Sequence, residues 1–161
     1  MIPYGLTQEQ FVRRYRRWLD KASAKLIAEL RALFAAPLPS AVTSAEVQIF
    51  LGEEGRDAPG AWVYFGGANK KVDHGDASIF PGRSLEIPLG LGVTPDFDDR
   101  YFEGDEFPGL DLQADALKAW FAECWWKAGG WAYALPAEVA VHDDFGDGER
   151  IILTERRQPA A

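Results

Sequence analysis

The first 36 residues carry the pattern that most restricts the fold, an apolar stripe with helical spacing. Its members recur every three or four positions and are Phe11, Tyr15, Trp18, Leu19, Ala22, Leu26, Leu30 and Leu33. Thr7 and Gln10 have the spacing of a capping box, and Pro37 disfavours helix in the residue before it. The pattern therefore predicts one helix over residues 8–35, within an N-terminal helical region 1–36. At 1.5 Å per residue such a helix is about 40 Å long, enough to cross a whole sheet.

Residues 44–90 have the pattern of a β meander. Four segments are strand candidates: Ala45–Leu51, Ala61–Phe65, Val72–Phe80 and Ser84–Leu89. The first and last alternate in hydrophobicity, the second is rich in aromatic and β-branched residues, and the third has the weakest pattern. Pro88 indicates that the last strand lies at an edge of the sheet or ends there.

The C-terminal half predicts a loop, a second helix and a hairpin. The loop covers residues 95–111 and has room for one short helical turn. The helix covers 112–128, with Asp111 as its N-cap and Gly129-Gly130 as its stop. Its inward stripe is formed by Leu117, Trp120, Phe121, Cys124 and Trp125. The hairpin covers 138–154.

This order of elements predicts an α+β fold. The long N-terminal helix and the Trp-rich second helix are expected to pack on one face of a mostly antiparallel sheet. A chain of 161 residues fits a single domain and can bury a core without disulfides or metals.

Composition restricts the compartment and the partners. The net charge is −8, which argues against nucleic acid and anionic membranes because both would repel the chain. One cysteine, Cys124, rules out an internal disulfide, and no apolar run reaches the length of a membrane span. The N-terminus lacks the pattern of a signal peptide. We expect a cytoplasmic protein with no cofactor, no nucleic-acid partner and no membrane partner; the oligomeric state is left open.

Charge is divided unevenly along the chain. Residues 1–35 hold seven basic and three acidic side chains, whereas Pro95–Asp115 holds eight carboxylates, one arginine and four aromatic residues. The acidic stretch is either a surface for a basic partner or an ordinary solvated loop. The candidate partner-binding residues in it are Asp96, Phe97, Asp98, Asp99, Tyr101, Phe102, Glu103, Asp105 and Glu106. The basic stretch around Arg13–Arg17 is either a solvated helix face or an internal partner of the acidic stretch.

Trp126 is a further candidate for partner binding. On a helical wheel it lies opposite Leu117 and so points away from the inward stripe. An outward tryptophan is either covered by the final hairpin or available as an interface anchor, a role in which tryptophan is enriched.

Candidate chemistry is restricted to two histidine clusters. His74 lies between acidic residues, and His142 is followed by Asp143 and Asp144, so the two clusters could form one metal site. Neither cluster has an established metal spacing, and aspartate and glycine also serve ordinary turns. Cys124 lies on an apolar stripe, as an inert core thiol would. No catalytic residue is assigned, and the sequence favours a protein that is not an enzyme.

The stretch WFAECWWKAGGWAYALPAEVAVHDDF, Trp120–Phe145, resembles the C-terminal half of small bacterial proteins associated with toxin–immunity loci. The resemblance covers 26 of 161 residues. In such loci an acidic α+β protein neutralises a cognate toxin, so the resemblance implies a binder rather than an enzyme.

Three functions follow as hypotheses. The first is a protein-binding module of the immunity or antitoxin type, which binds a basic, toxin-like partner through an acidic and aromatic surface. The second is a metal-assisted hydrolase or other small-molecule enzyme that uses His74, His142, Asp143 and Asp144. The third is a structural protein that oligomerises through its N-terminal helix.

Overall fold

The computed structural model describes residues 1–52, 57–67 and 82–154. The helices are α1 (Gln8–Asp20), α2 (Ser23–Ala35) and α3 (Gly109–Lys127). The strands are β1 (Val42–Phe50), β2 (Gly60–Gly67), β3 (Ser84–Ile87), β4 (Ala137–Val141) and β5 (Ile151–Ile152). The α+β class is confirmed. The strand candidate Val72–Phe80 lies outside the described residues.

The N-terminal region is two helices, so the prediction of one continuous helix is wrong. The capping box at Thr7 and Gln10 is present, but α1 ends at Asp20 and α2 begins at Ser23. At the break, the Ala22 N–H donates to the Leu19 carbonyl over 2.9 Å, a tighter turn than the α-helical one. The Ser23 hydroxyl accepts a hydrogen bond from the Trp120 indole, so a contact distant in sequence holds the break.

The five strands form one sheet in the order β3-β2-β1-β4-β5. Three neighbouring pairs are antiparallel, and the central pair β1–β4 is parallel. The predicted C-terminal hairpin is confirmed, with Glu138 opposite Ile152. Because α3 lies in the connection between β3 and β4, the chain crosses the sheet and enters it again beside β1.

Alternation along the strands gives the sheet two unlike faces. Val47, Val63 and Val139 lie side by side on the inner face and are fully buried. The helices cover this face, and the core includes Trp120 and Trp125 of α3. The opposite face is not buried at any of its described positions, which include Glu46, Gln48, Phe50, Trp62, Tyr64, Glu86, Glu138 and Ala140. One face of the sheet therefore meets solvent.

The Trp-rich helix α3 begins earlier than the sequence predicts. Its first residue is Gly109, preceded by Pro108, so Asp111 is not the N-cap. The Asp111 carboxylate instead accepts the N–H of Gly146 over 2.8 Å. The predicted stop is confirmed, because Gly129 has a φ of 90°. Within the described parts of the chain, no helix has the length and apolar character needed to cross a membrane.

Candidate partner-binding surface

The acidic segment, defined as residues 95–107, follows a fixed path over the surface. A single turn of 3₁₀ helix spans Asp99–Tyr101. The Asp98 carboxylate caps it, because it accepts the backbone N–H of Arg100 over 2.9 Å and the Nε–H of the same residue over 3.1 Å. The hydrogen bond from the Arg100 side chain lowers the pKa of Asp98, so this carboxylate stays charged.

The aromatic residues of the segment face inward. Phe97 is 4% exposed and Tyr101 is 0% exposed. Their ring centroids lie 4.3 Å and 5.2 Å from that of Phe11 in α1. Phe102 is half-buried beside the same ring. The candidate partner-binding residues Phe97 and Tyr101 are therefore buried, and their rings stabilise the core and fix the segment.

The N-terminal residues hold the acidic segment in place. The Ile2 N–H donates to the Asp96 carbonyl over 2.6 Å, and the Asp98 N–H donates to the Ile2 carbonyl over 2.9 Å. The Tyr101 hydroxyl donates to the carbonyl of Pro3 over 2.5 Å and accepts the N–H of Leu6 over 3.1 Å. These contacts join residues more than 90 positions apart, so no local sequence pattern could indicate them.

Five of the six carboxylates of the segment are exposed, the exception being Asp98. Asp96 is 81% exposed at its side chain, with the Met1 ammonium 3.7 Å away. The other exposed carboxylates are Asp99, Glu103, Asp105 and Glu106. The buried rings and the hydrogen bonds of residues 2–6 therefore present a row of negative charge on a fixed backbone.

The basic face of α1 makes its ion pairs elsewhere. Arg16 bonds to Asp20 within α1 over 2.9 Å and to Glu123 of α3. Arg13 and Arg17 are exposed. The Arg16 contacts tie two helices together and do not reach the acidic segment.

Trp126 is held by the final hairpin. Its Nε1–H donates to the Leu153 carbonyl over 3.1 Å. Its ring stacks on Trp131, with centroids 4.8 Å apart and planes inclined by 3°. This favours the interpretation in which the hairpin covers Trp126, while Trp131 is the more exposed ring of the pair.

The His142 cluster does not form a metal centre with other described residues. His142 is exposed, its ring lies 4.6 Å from that of Phe50, and its Nε2 is 3.4 Å from Asp143. No group of three His, Cys, Asp or Glu side chains in residues 1–52, 57–67 and 82–154 is arranged to hold a metal. His74 lies outside these ranges.

The loop after His142 is instead fixed to α3 by a buried lysine, which sequence reasoning missed. Lys118 is 3% exposed, and its Nζ donates to the Asp147 carboxylate and, over 2.6 Å, to the Glu149 carbonyl. The Asp115 carboxylate accepts the N–H of Asp147 over 3.0 Å. The available signal was a lysine next to Leu117 on an apolar helix face, with acidic residues in the following loop.

Cys124 is a core residue, as the sequence predicts. It is buried, and burial raises the pKa of its thiol. A thiol in this state is a poor nucleophile at neutral pH.

A second acidic and aromatic surface lies on the outer side of the sheet. Trp62 and Tyr64 of β2 are 37% and 38% exposed, among the most exposed large apolar side chains of the described chain. Glu46 and Glu86 flank them on the neighbouring strands. Alternation within Ala61–Phe65 was the signal that could have found this surface.

Comparison of the chain with models of known protein families, with curated proteins and with solved structures finds no match.

Proposed function

We propose that this protein is a non-enzymatic binding protein that captures a basic protein partner, in the manner of a bacterial immunity protein or antitoxin acting in the cytoplasm. One observation carries the proposal: the acidic segment buries three of its four aromatic rings and leaves five of its six carboxylates exposed. The resemblance of Trp120–Phe145 to toxin-neutralising proteins supports the same class of function.

The physical role of the segment is electrostatic steering. Several carboxylates close together raise the local concentration of a cationic partner and can raise its association rate about 10- to 1000-fold at low salt. Because the backbone is already fixed by Phe97, Tyr101 and Ile2, little further ordering is needed on binding.

The test compares two neutralised variants in their association with the protein encoded by the adjacent gene. The first variant removes charge from the acidic segment, with the substitutions Asp96→Asn, Glu103→Gln, Asp105→Asn and Glu106→Gln. The second removes the same number of exposed carboxylates elsewhere, with Glu29→Gln, Asp57→Asn, Asp144→Asn and Glu149→Gln. Stopped-flow rates are measured over a series of salt concentrations.

We expect the first variant to associate about tenfold more slowly at low salt and with a flatter salt dependence. The association rate of the second variant, and its salt dependence, should stay closer to those of the parent protein. Equal rates for both variants would show that the position of the charges is irrelevant. Failure of the parent protein to bind its neighbour or to relieve that neighbour's toxicity would count against the immunity function itself.

A further inference from the structure

The outer side of the sheet combines exposed aromatic rings with carboxylates. We call this surface the open sheet face, and its members are Glu46, Gln48, Trp62, Tyr64, Glu86, Glu138 and Arg150. Trp62 and Tyr64 are two positions apart on β2, so their side chains are about 7 Å apart along the strand. Three glutamates and one arginine make the charged part of this surface net negative.

The register places each ring beside a carboxylate. Trp62 lies opposite Glu86 of β3, and Tyr64 lies opposite Glu46 of β1. Directly opposed side chains on one face of a sheet begin about 5 Å apart at their Cβ atoms. A cation stacked on either ring would therefore also be within reach of a carboxylate.

The molecule already binds one guanidinium on this face. Arg150 lies between Glu46 and Glu138, with its Nη1 2.9 Å from the Glu46 carboxylate and bonded to Glu138 as well. These ion pairs raise the pKa of Arg150, the hydrogen bond to Glu138 being the largest cause. The arrangement shows that arginine fits the spacing of the outward carboxylates.

We propose that the open sheet face binds an extended cationic segment of a protein partner. Arginine or lysine side chains of the segment would stack on Trp62 and Tyr64 and pair with Glu86 and with Glu46, whose Oε1 is also bonded to Arg150 and Gln48. This inference rests on the proposed function for the class of partner, but it assigns binding to residues outside the acidic segment.

Charge selects this occupant over two others. Single-stranded nucleic acid also stacks on exposed aromatic rings, but its phosphates would be repelled by Glu46, Glu86 and Glu138. A second copy of this chain would bring the same glutamates and a net charge of −8. A cationic polypeptide can both stack on the rings and form ion pairs with the carboxylates.

The test uses a synthetic peptide in which arginine alternates with threonine, titrated into the isotope-labelled full chain. Nuclear magnetic resonance reports which backbone and indole N–H groups respond. We expect shifts at the Trp62 indole and along β2. The variant Trp62→Ala/Tyr64→Ala should bind the peptide at least about tenfold more weakly, since two cation–π contacts are lost.

The control is Trp131→Ala, which removes another exposed ring, one that lies in the turn after α3 and stacks on Trp126. It should bind the peptide as the parent does. Circular dichroism tests whether each variant is folded. If Trp62→Ala/Tyr64→Ala is unfolded, it is replaced by Glu46→Gln/Glu86→Gln, which should also weaken peptide binding. A peptide that produces no shift on β2 at millimolar concentration overturns the inference, as does unchanged affinity in the folded ring or charge variants.

Further arms separate this inference from the proposed function. Peptide binding at Trp62 with no effect of the acidic-segment charges on partner association would sustain the sheet face and remove the steering role. If the acidic-segment charges do affect partner association, but Trp62→Ala/Tyr64→Ala leaves peptide binding unchanged, the steering role is sustained and the sheet-face inference is overturned. Stronger shifts with a thymidine oligonucleotide than with the peptide, or concentration-dependent shifts without any ligand, would overturn the inference in favour of nucleic acid or a second copy.

Discussion

At the scale of single residues, Tyr101 connects the acidic segment to the N-terminus. Its hydroxyl bonds to Pro3 and Leu6, and its ring packs on Phe11. We expect Tyr101→Phe to lower the free energy of unfolding by about 1–3 kcal/mol, because it removes two part-buried hydrogen bonds, to the Pro3 carbonyl and from the Leu6 N–H. Urea unfolding followed by fluorescence measures the change.

Tyr133→Phe is the matched control for that experiment. The Tyr133 hydroxyl is also buried, but it has no hydrogen-bond partner among the described residues. Burial raises its pKa to about 12. Removing this hydroxyl should leave stability unchanged or increase it slightly. Equal destabilisation by both substitutions would show that the two hydrogen bonds of the Tyr101 hydroxyl contribute nothing beyond the cost of removing a buried hydroxyl.

The residue scale also shows why the sequence could not decide whether the aromatic rings of the acidic segment face inward or outward. Interleaved carboxylates and rings have the same pattern in a partner surface and in a segment that packs its rings inward. The burial of Phe97 and Tyr101 depends on Phe11 and on residues 2–6, which are distant in sequence. By contrast, Cys124 was predicted correctly because its own helix supplies its apolar neighbours.

At the scale of elements, Lys118 fastens the loop after β4 to α3. Its ammonium lowers the pKa of Asp147, with a smaller contribution from the Glu149 N–H. Because the pKa of Asp147 is lower in the folded state than in the unfolded state, the pair stabilises the protein above about pH 4, where aspartate of the unfolded chain is ionised. This contribution is lost as the pH falls through the folded-state pKa.

Lys118→Met should lower stability by about 1–2 kcal/mol at neutral pH. Its stability should also decline less between neutral and acidic pH, as measured by urea unfolding over a pH series. An acid dependence identical to that of the parent would show that the pair contributes nothing.

The end of α3 gives a second prediction for an element. Gly129 has a φ of 90°, and a Cβ added there would meet no atom within 4 Å. Gly129→Ala should therefore cost about 1–2 kcal/mol from backbone strain alone. Gly92 has equal space without a positive φ, so Gly92→Ala should change the melting temperature little. Equal melting temperatures for the two variants would contradict the conclusion that the positive φ of Gly129 makes alanine unfavourable there.

Some elements are determined by a local sequence pattern and others by contacts that are distant in sequence. Strand β1 was predicted from alternation, β2 from its aromatic and β-branched residues, and the stop of α3 from Gly129-Gly130, because these signals are local. The break between α1 and α2 near Ala22 was not predicted, because the apolar stripe continues through it. The Trp120 side chain that bonds to Ser23 at the break comes from another helix.

At the scale of the whole molecule, the α+β class and the antiparallel character of the sheet could be predicted from element order. The parallel pairing of β1 with β4 could not, because it depends on where α3 returns the chain. The same limit applies to the open sheet face. Alternation assigns Trp62 to one side of its strand, but only the burial of Ala61, Val63 and Phe65 in the core determines which side meets solvent.

The pairing of Ile2 with the acidic segment has a practical consequence for cloning. Any tag or fusion partner joined to the N-terminus would emerge within a few ångströms of Asp96, since the Met1 nitrogen lies 3.7 Å from that carboxylate. A polyhistidine leader placed there would sit over the charges that the association experiments are meant to measure. Rates from tagged and tag-free protein should therefore be compared before any salt dependence is interpreted.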